Sequence, residues 1–114
     1  MLEISNNTII LNGEKLQFSN NIYEAVEFDD KLIIVFDTDK SEDSGYFDNV
    51  FCYTKEKNLL WRVKPAPVWM AGMARSRHVG VSIIDHACYV TDFCGRQFLL
   101  DLRNGEPVSM KIVK

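Results

Sequence analysis

The sequence predicts an all-β fold made of antiparallel hairpins that follow one another in a meander of about ten short strands. Nearly every apolar stretch alternates with a period of two residues or forms a short β-branched run, and both patterns are typical of strands. Turn residues such as Asn12-Gly13 and Asn104-Gly105 separate these stretches at short intervals. With 114 residues, of which 46% are hydrophobic, the chain has the size and composition of one globular domain, residues 1–114.

The first half of the chain predicts four strands. Two of them lie in "TIILNGEKLQF", on either side of the tight turn at Asn12-Gly13. The alternating stretch "NIYEAVEF" predicts a strand with one buried face. Asp29-Asp30 then turns the chain into "KLIIVF", whose continuous apolar run predicts a strand that is buried on both faces.

The second half of the chain predicts six further strands. In order, they are "NVFCYT", "NLLWRV", "VGVSII", "ACYVTDF", "RQFLLDL" and "EPVSMKIV". Pro65 and Pro67 follow the second of these stretches and interrupt the sheet there, because proline cannot donate a hydrogen bond to a neighbouring strand. The next segment, "VWMAGMARSR", has helix-forming residues but also Gly72, so it predicts one short helical turn at most.

Two segments of the chain share one layout. Both "NVFCYTKEKNLLWRV" and "ACYVTDFCGRQFLLDLRNGEPVSM" contain an apolar strand that ends in an aromatic residue, a polar turn, a Leu-Leu pair and a further strand. Self-similar hairpins of this kind are typical of radially repeated sheets. The first segment resembles a blade of the quinoprotein-type β-propellers, and "FLLDLRNGEPV" resembles the Asp-x-x-Gly-Glu part of the same repeats. A propeller needs at least four blades of four strands, so about ten strands amount to roughly half a propeller.

Small proteins with this layout resemble the bacterial immunity proteins that accompany toxins of contact-dependent growth inhibition. The residues that carry the resemblance are Asn49, Val50, Phe51, Tyr53, Leu60, Trp61, Asp101, Gly105, Glu106 and Lys114. The chain departs from the pattern at Lys57, where a turn glycine is usual, and at Asn104, where threonine is usual. The resemblance implies a half propeller and a protein that binds and neutralises a toxin. The matching residues are mostly structural, so it does not locate the binding surface.

Charge is distributed unevenly along the chain. Residues 1–48 hold eleven acidic residues against three lysines, a net charge of −8, and the remaining residues carry +5. Such asymmetry favours a polarised surface for a charged partner, unless the segments interleave in space and the charges average out. Nucleic acid is disfavoured as a partner, because the basic residues are scattered and form no stripe with exposed aromatics.

The most acidic stretch, "DTDKSEDSGYFD", occupies residues 37–48. Asp37, Asp39, Ser41 and Asp43 stand at positions 1, 3, 5 and 7 of a calcium loop, but Glu42 replaces the required glycine and strands replace the flanking helices. A metal site is therefore disfavoured, and the stretch is either a solvated hairpin tip or a contact surface for a basic protein. The predicted partner-binding residues are Glu24, Glu27, Asp37, Asp39, Glu42, Asp43, Tyr46, Phe47 and Asp48.

A second candidate contact surface lies in the segment after Pro67. Its residues are Trp69, Met70, Met73, Arg75 and Arg77. Aromatic, methionine and arginine side chains are enriched at protein interfaces. The alternative is that Trp69 and the methionines cover an open edge of the sheet.

Catalytic and metal chemistry find little support in the sequence. His78, His86, Cys88 and Cys94 lack the paired spacing of zinc sites. Ser82 and Asp85-His86 alternate along a strand and cannot form a triad by proximity. We therefore expect a protein that is not an enzyme and has no cofactor.

The predicted function is that of a cytoplasmic immunity protein that occludes the active site of a basic nuclease or ribonuclease toxin. Three cysteines in a chain without a leader or a membrane-spanning run are consistent with reduced thiols in a cytoplasm. We expect a monomer or weak dimer when the protein is free, with neither nucleic acid nor membrane as a partner. The alternatives are a small-ligand or carbohydrate-binding β-domain that uses Trp69 and Tyr46, and a dimeric scaffold.

Overall fold

The computed structural model describes residues 2–38 and 46–113, and it is an all-β fold with eleven strands in three antiparallel sheets within those ranges. The first sheet contains β1 (Leu2–Ser5), β2 (Thr8–Leu11) and β3 (Glu14–Gln17). The second contains β4 (Asn21–Phe28), β5 (Lys31–Asp37), β6 (Val50–Thr54) and β7 (Leu59–Arg62). The third contains β8 (His78–Ile84), β9 (Ala87–Asp92), β10 (Arg96–Leu100) and β11 (Pro107–Ile112). The predicted all-β meander is confirmed.

The turns follow from residues that accept a positive φ. Asn12 and Gly13, between β2 and β3, have φ values of 51° and 85°. Asp85 and His86, between β8 and β9, have φ values of 50° and 65°. Two successive positive φ values are typical of the type I′ hairpin turn, whose twist matches that of the flanking strands.

The three sheets are arranged side by side around β4. The first strands of the two four-stranded sheets, β4 and β8, are neighbours, and β1 also contacts β4. A carboxylate oxygen of Glu24 on β4 accepts a hydrogen bond of 2.8 Å from the backbone N–H of Val81 on β8. Successive meanders packed through their first strands are the arrangement of propeller blades, as the half-propeller prediction requires.

The assembly has two ends, a front rim and a back rim. The front rim is the end where β4 and β8 begin, and there Arg77 meets Tyr23. The back rim is the end where β4 and β8 finish, and there the rings of Phe28 and His86 lie 6.1 Å apart.

The core consists of two layers that share β5. Ile33 and Val35 of β5 belong to the larger layer, between the second and third sheets. The alternate residues of β5 belong to the smaller layer, which includes Ile9 and Phe18 of the first part of the chain. The five residues of β5 from Leu32 to Phe36 are all buried, so the predicted burial of this strand on both faces is confirmed.

The second and third sheets meet at a seam formed by Trp61 and the turn after β10. The indole Nε1 of Trp61 donates a hydrogen bond of 2.7 Å to the carbonyl of Leu102. Gly105 lies against the indole ring so closely that an added Cβ would stand 2.5 Å from it. These residues of the propeller-like pattern therefore contact each other and hold two sheets together.

Candidate functional site

The front rim joins the two stretches that the sequence predicted as contact surfaces. The described ends of the acidic stretch, residues 37–38 and 46–48, lie at this rim next to β5 and β6, and residues 63–77 connect β7 to β8 there. Arg75 forms an ion pair with Asp48, and its guanidinium lies 5.2 Å from the centre of the Phe47 ring. The Nη1 of Arg77 donates a hydrogen bond of 2.6 Å to the hydroxyl of Tyr46. The described end of the acidic stretch and the segment after Pro67 are thus in direct contact.

Arg77 is the centre of an aromatic cluster on this rim. Its guanidinium carbon lies 4.9 Å from the ring centre of Phe93, 5.8 Å from that of Tyr46 and 5.9 Å from that of Tyr23. The hydroxyl oxygens of Tyr23 and Tyr46 accept hydrogen bonds from it and raise the pKa of Arg77 above its ordinary value. No carboxylate pairs with Arg77 among the residues that the structure describes, so the cluster carries an uncompensated positive charge there.

Large apolar side chains are exposed in this cluster and on the segment that leads into Arg77. Trp69 is 80% exposed and Met73 83%, and both lie on or next to the short helix α1 (Val68–Ala71). Phe93, in the turn after β9, is 67% exposed. Met70 differs from these residues, because it packs against the larger core layer and anchors the helical turn. The rim therefore combines exposed apolar side chains with a helical turn that is fixed to the core.

The acidic candidates do not all lie on the front rim. Asp37 is exposed at the end of β5, opposite Asn21 at the start of β4. Glu24 lies between β4 and β8 and binds the backbone of β8. Glu27 lies towards the back rim, where Lys55 stands 2.6 Å away and its hydrogen bond lowers the pKa of Glu27. Asp39, Glu42 and Asp43 lie outside the described residues.

A small pocket opens beside the rim, between the segment that follows β7 and the third sheet. Its volume is about 40 Å³, and Phe47, Pro65 and Phe98 form part of its apolar wall. The polar side chains that line it are Asp48, Lys64, Arg75, Ser76, His78, Asp92 and Arg96. A pocket of this size holds a few water molecules or one small polar group.

Buried polar groups form the floor of the pocket. Asp92 accepts hydrogen bonds from the backbone N–H groups of Cys94 and Arg96 and from the Nε of Arg96, at 2.7 to 3.0 Å. The Nη1 of Arg96 donates to the carbonyls of Ala71 and Ala74, at 2.8 and 3.1 Å. Arg96 therefore ties the segment after α1 to the third sheet.

His78 is buried in the same floor and is only 8% exposed. Burial lowers its pKa to about 4; the nearby Asp92 opposes this shift, and Arg75 and Arg96 add to it. The imidazole is therefore neutral near pH 7. Its Nδ1 is buried and has no hydrogen-bond partner among the described residues.

Neither metal nor nucleophilic chemistry emerges from the described residues. Within them, no three His, Cys, Asp or Glu side chains are grouped to hold a metal ion. Burial raises the pKa of Cys52 to about 11 and that of Cys88 to about 12, so both thiols stay protonated at neutral pH. Asp85 and His86 form the exposed turn at the back rim.

Comparison with known proteins identifies a family for the chain. A protein family described as "Domain of unknown function (DUF7957)" matches residues 1–112. The chain belongs to the DUF7957 family. No curated protein matches the chain. Among the described residues, no helix is long and apolar enough to cross a membrane.

For this DUF7957 member, sequence reasoning missed several residues of the front rim and its pocket. Tyr23 and Phe93 were not among the predicted contact residues, although Phe93 ends a strand at a turn, where aromatic side chains are often exposed. Asn49 was identified only as part of the propeller-like pattern, and Asp92 and Arg96 carry no motif. Asn49 and Arg96 donate to backbone carbonyls of distant segments, whereas Asp92 binds the residues that follow it in the chain.

Proposed function

We propose that the chain is a non-enzymatic immunity protein that binds and neutralises a cognate bacterial toxin through its front rim. One observation carries the proposal: the two stretches predicted as contact surfaces meet in one exposed surface of aromatic, methionine and arginine side chains. Side chains of these types supply most of the energy of protein interfaces. The resemblance to immunity proteins supplies the class of partner.

The acidic side chains of the stretch that follows β5, as distinct from the positive Arg77, support a partner with a basic cleft. A nuclease toxin must hold phosphate groups, so its active site is basic. Asp37 is exposed on the rim, and the residues that follow it in the chain include Asp39, Glu42 and Asp43. Acidic side chains of this kind accelerate association with a basic surface, while Trp69, Met73 and Phe93 supply apolar area to bury. A toxin that attacks nucleic acid would be met in the cytoplasm, where we place the protein.

Co-expression with the toxin domain encoded beside this chain tests the proposal. We expect the chain to restore growth and to form a complex with the purified toxin domain. The absence of such a toxin, or a failure to restore growth, would contradict the immunity function.

A matched pair of variants tests the surface. The front-rim variant Trp69→Ala, Met73→Ala, Phe93→Ala should weaken toxin binding by about 100-fold, because hot-spot side chains dominate interface energy. The control is Ile84→Ala, Val108→Ala on the back rim, where these side chains are 52% and 54% exposed. We expect the control to bind like the unmodified chain in calorimetry. Equal affinities of both variants for the toxin would show that the interface does not lie on the front rim.

A further inference from the structure

The two carboxylates in the pocket beside the front rim are already paired. Both carboxylate oxygens of Asp92 receive donors, one from two backbone N–H groups and the other from Arg96. The Oδ1 of Asp48 is held by Arg75. Both oxygens of Asp92 are therefore satisfied, and the charge of Asp48 is paired with that of Arg75.

The donors that line the same pocket are not fully used. The hydroxyl of Ser76 makes no hydrogen bond with a described residue, and the Nη2 of Arg96 makes none either, since this side chain bonds through Nε and Nη1. Lys64 meets Glu106 at 3.3 Å, but both side chains are about half exposed and such pairs are weak. The buried Nδ1 of His78 is also unpartnered within the described part of the chain, and it is a further donor in the tautomer that carries its proton there. The pocket thus has a surplus of donors.

The net charge, the apolar wall and the volume of the pocket also favour a small anion. Lys64, Arg75 and Arg96 outnumber the two carboxylates, and His78 is neutral, so the lining has a net charge of +1. The apolar wall of Phe47, Phe98 and neighbouring residues lowers the local dielectric, which strengthens hydrogen bonds to a bound anion. At about 40 Å³ the space admits one small group rather than a large ligand.

We propose that this pocket binds a single oxyanion group, a carboxylate or a phosphate, held by Ser76, Lys64 and Arg96. The group can belong to a free small molecule or to an acidic side chain of a bound protein, because both present the same acceptor oxygens. The inference concerns a site separate from the exposed aromatic anchors, and it does not depend on the toxin.

An NMR titration of the chain alone with inorganic phosphate and with acetate tests the site. Sodium chloride at matched ionic strength is the reference. We expect saturable shifts for phosphate or acetate that centre on Ser76, His78 and Arg96, and no such shifts with chloride. The variant Lys64→Gln, Ser76→Ala should bind the anion at least about fivefold more weakly, because it removes two of the donors. Its control is Lys15→Gln, Ser19→Ala on the exposed surface of the first part of the chain.

Shifts that stay linear with concentration, that chloride reproduces, or that are the same in both double variants would overturn the proposal. If the anion binds, a second titration in the presence of the toxin identifies its source. Competition between phosphate and the toxin would assign the site to an acidic side chain of the partner. Undiminished phosphate binding by the complex would assign it to a free ligand. Because the first titration uses the chain alone, its result is independent of the immunity function.

Discussion

Gly105, at the seam between the second and third sheets, has no space for a side chain. Its φ of 77° is unfavourable for other residues, and an added Cβ would stand 2.5 Å from the Trp61 ring and 3.0 Å from the carbonyl of Arg62. We expect Gly105→Ala to lower the free energy of unfolding by about 3 kcal/mol, through conformational strain of about 1 kcal/mol plus overpacking. Urea unfolding measures this loss.

Gly13→Ala is the matched control for this prediction. Gly13 has a similar φ of 85°, but nothing lies within 4 Å of an added Cβ. We expect this variant to lose only about 1 kcal/mol, the conformational part alone. Equal losses in both variants would show that contact with Trp61 contributes nothing.

His78 makes stability depend on pH. Its pKa in the folded chain is about 4, below the ordinary value of 6.5, because it is buried. Between these values the unfolded chain binds a proton that the folded chain does not, so the free energy of unfolding decreases as the pH falls from about 6.5 to about 4. The loss over this window is about 3 kcal/mol. Urea titrations at several pH values measure it.

The comparison variants are His78→Phe, which removes the buried imidazole, and His86→Gln, which changes an exposed one. His78→Phe should flatten the pH dependence between pH 4 and 6.5, even if it is less stable overall. His86→Gln should leave the slope unchanged. The same slope in His78→Phe as in the unmodified chain would contradict the assignment.

At the scale of elements, Arg96 holds the segment after α1 in place. It connects Asp92 at the end of β9 with the carbonyls of Ala71 and Ala74. Lysine cannot reproduce these forked contacts. We expect Arg96→Lys to raise hydrogen exchange at the amides of residues 70–72 by about tenfold, while the strands of the second sheet stay protected.

Arg103→Lys is the control. Like Arg96, Arg103 pairs with an aspartate close to it in the chain, Asp101, but the side chain of Arg103 is 87% exposed. Exchange in residues 70–72 should not change in this variant. If Arg96→Lys left that exchange unchanged as well, other contacts would hold the segment.

Local patterns predicted the elements better than their contacts. Period-two alternation, with the continuous apolar run of β5, located ten of the described strands, because side-chain alternation follows directly from strand geometry. Helix-forming residues located the helical turn. The strand β1 was missed because "LEIS" is short. Leu2 is half-buried and the other three residues are exposed. The contacts of Arg75 with Asp48 and of Arg77 with Tyr46 span 27 and 31 residues. They arise from the packing of one sheet on another, which no local pattern encodes.

At the scale of the whole molecule, the outer faces of the first and third sheets decide whether two copies associate. In a closed propeller, these faces would be covered by further blades. The strand register places these residues on the face of the third sheet away from the core: Ser82, Ile84, Ala87, Tyr89, Thr91, Gln97, Leu99, Ser109 and Lys111. The corresponding face of the first sheet carries Glu3, Ser5, Thr8, Ile10, Lys15 and Gln17. Both faces are mostly polar.

We therefore expect the free chain to be a monomer of 13.1 kDa at micromolar concentrations. A stable homodimer requires an interface of at least about 1,000 Å² with a largely apolar centre, and mostly polar faces do not offer one. Sedimentation velocity over a wide range of concentrations measures the mass. A mass that rises to twice the monomer value with concentration would contradict the expectation. In that case, Leu99→Lys in the third sheet would tell whether its outer face forms the contact, because a buried unpaired charge there should restore the monomer.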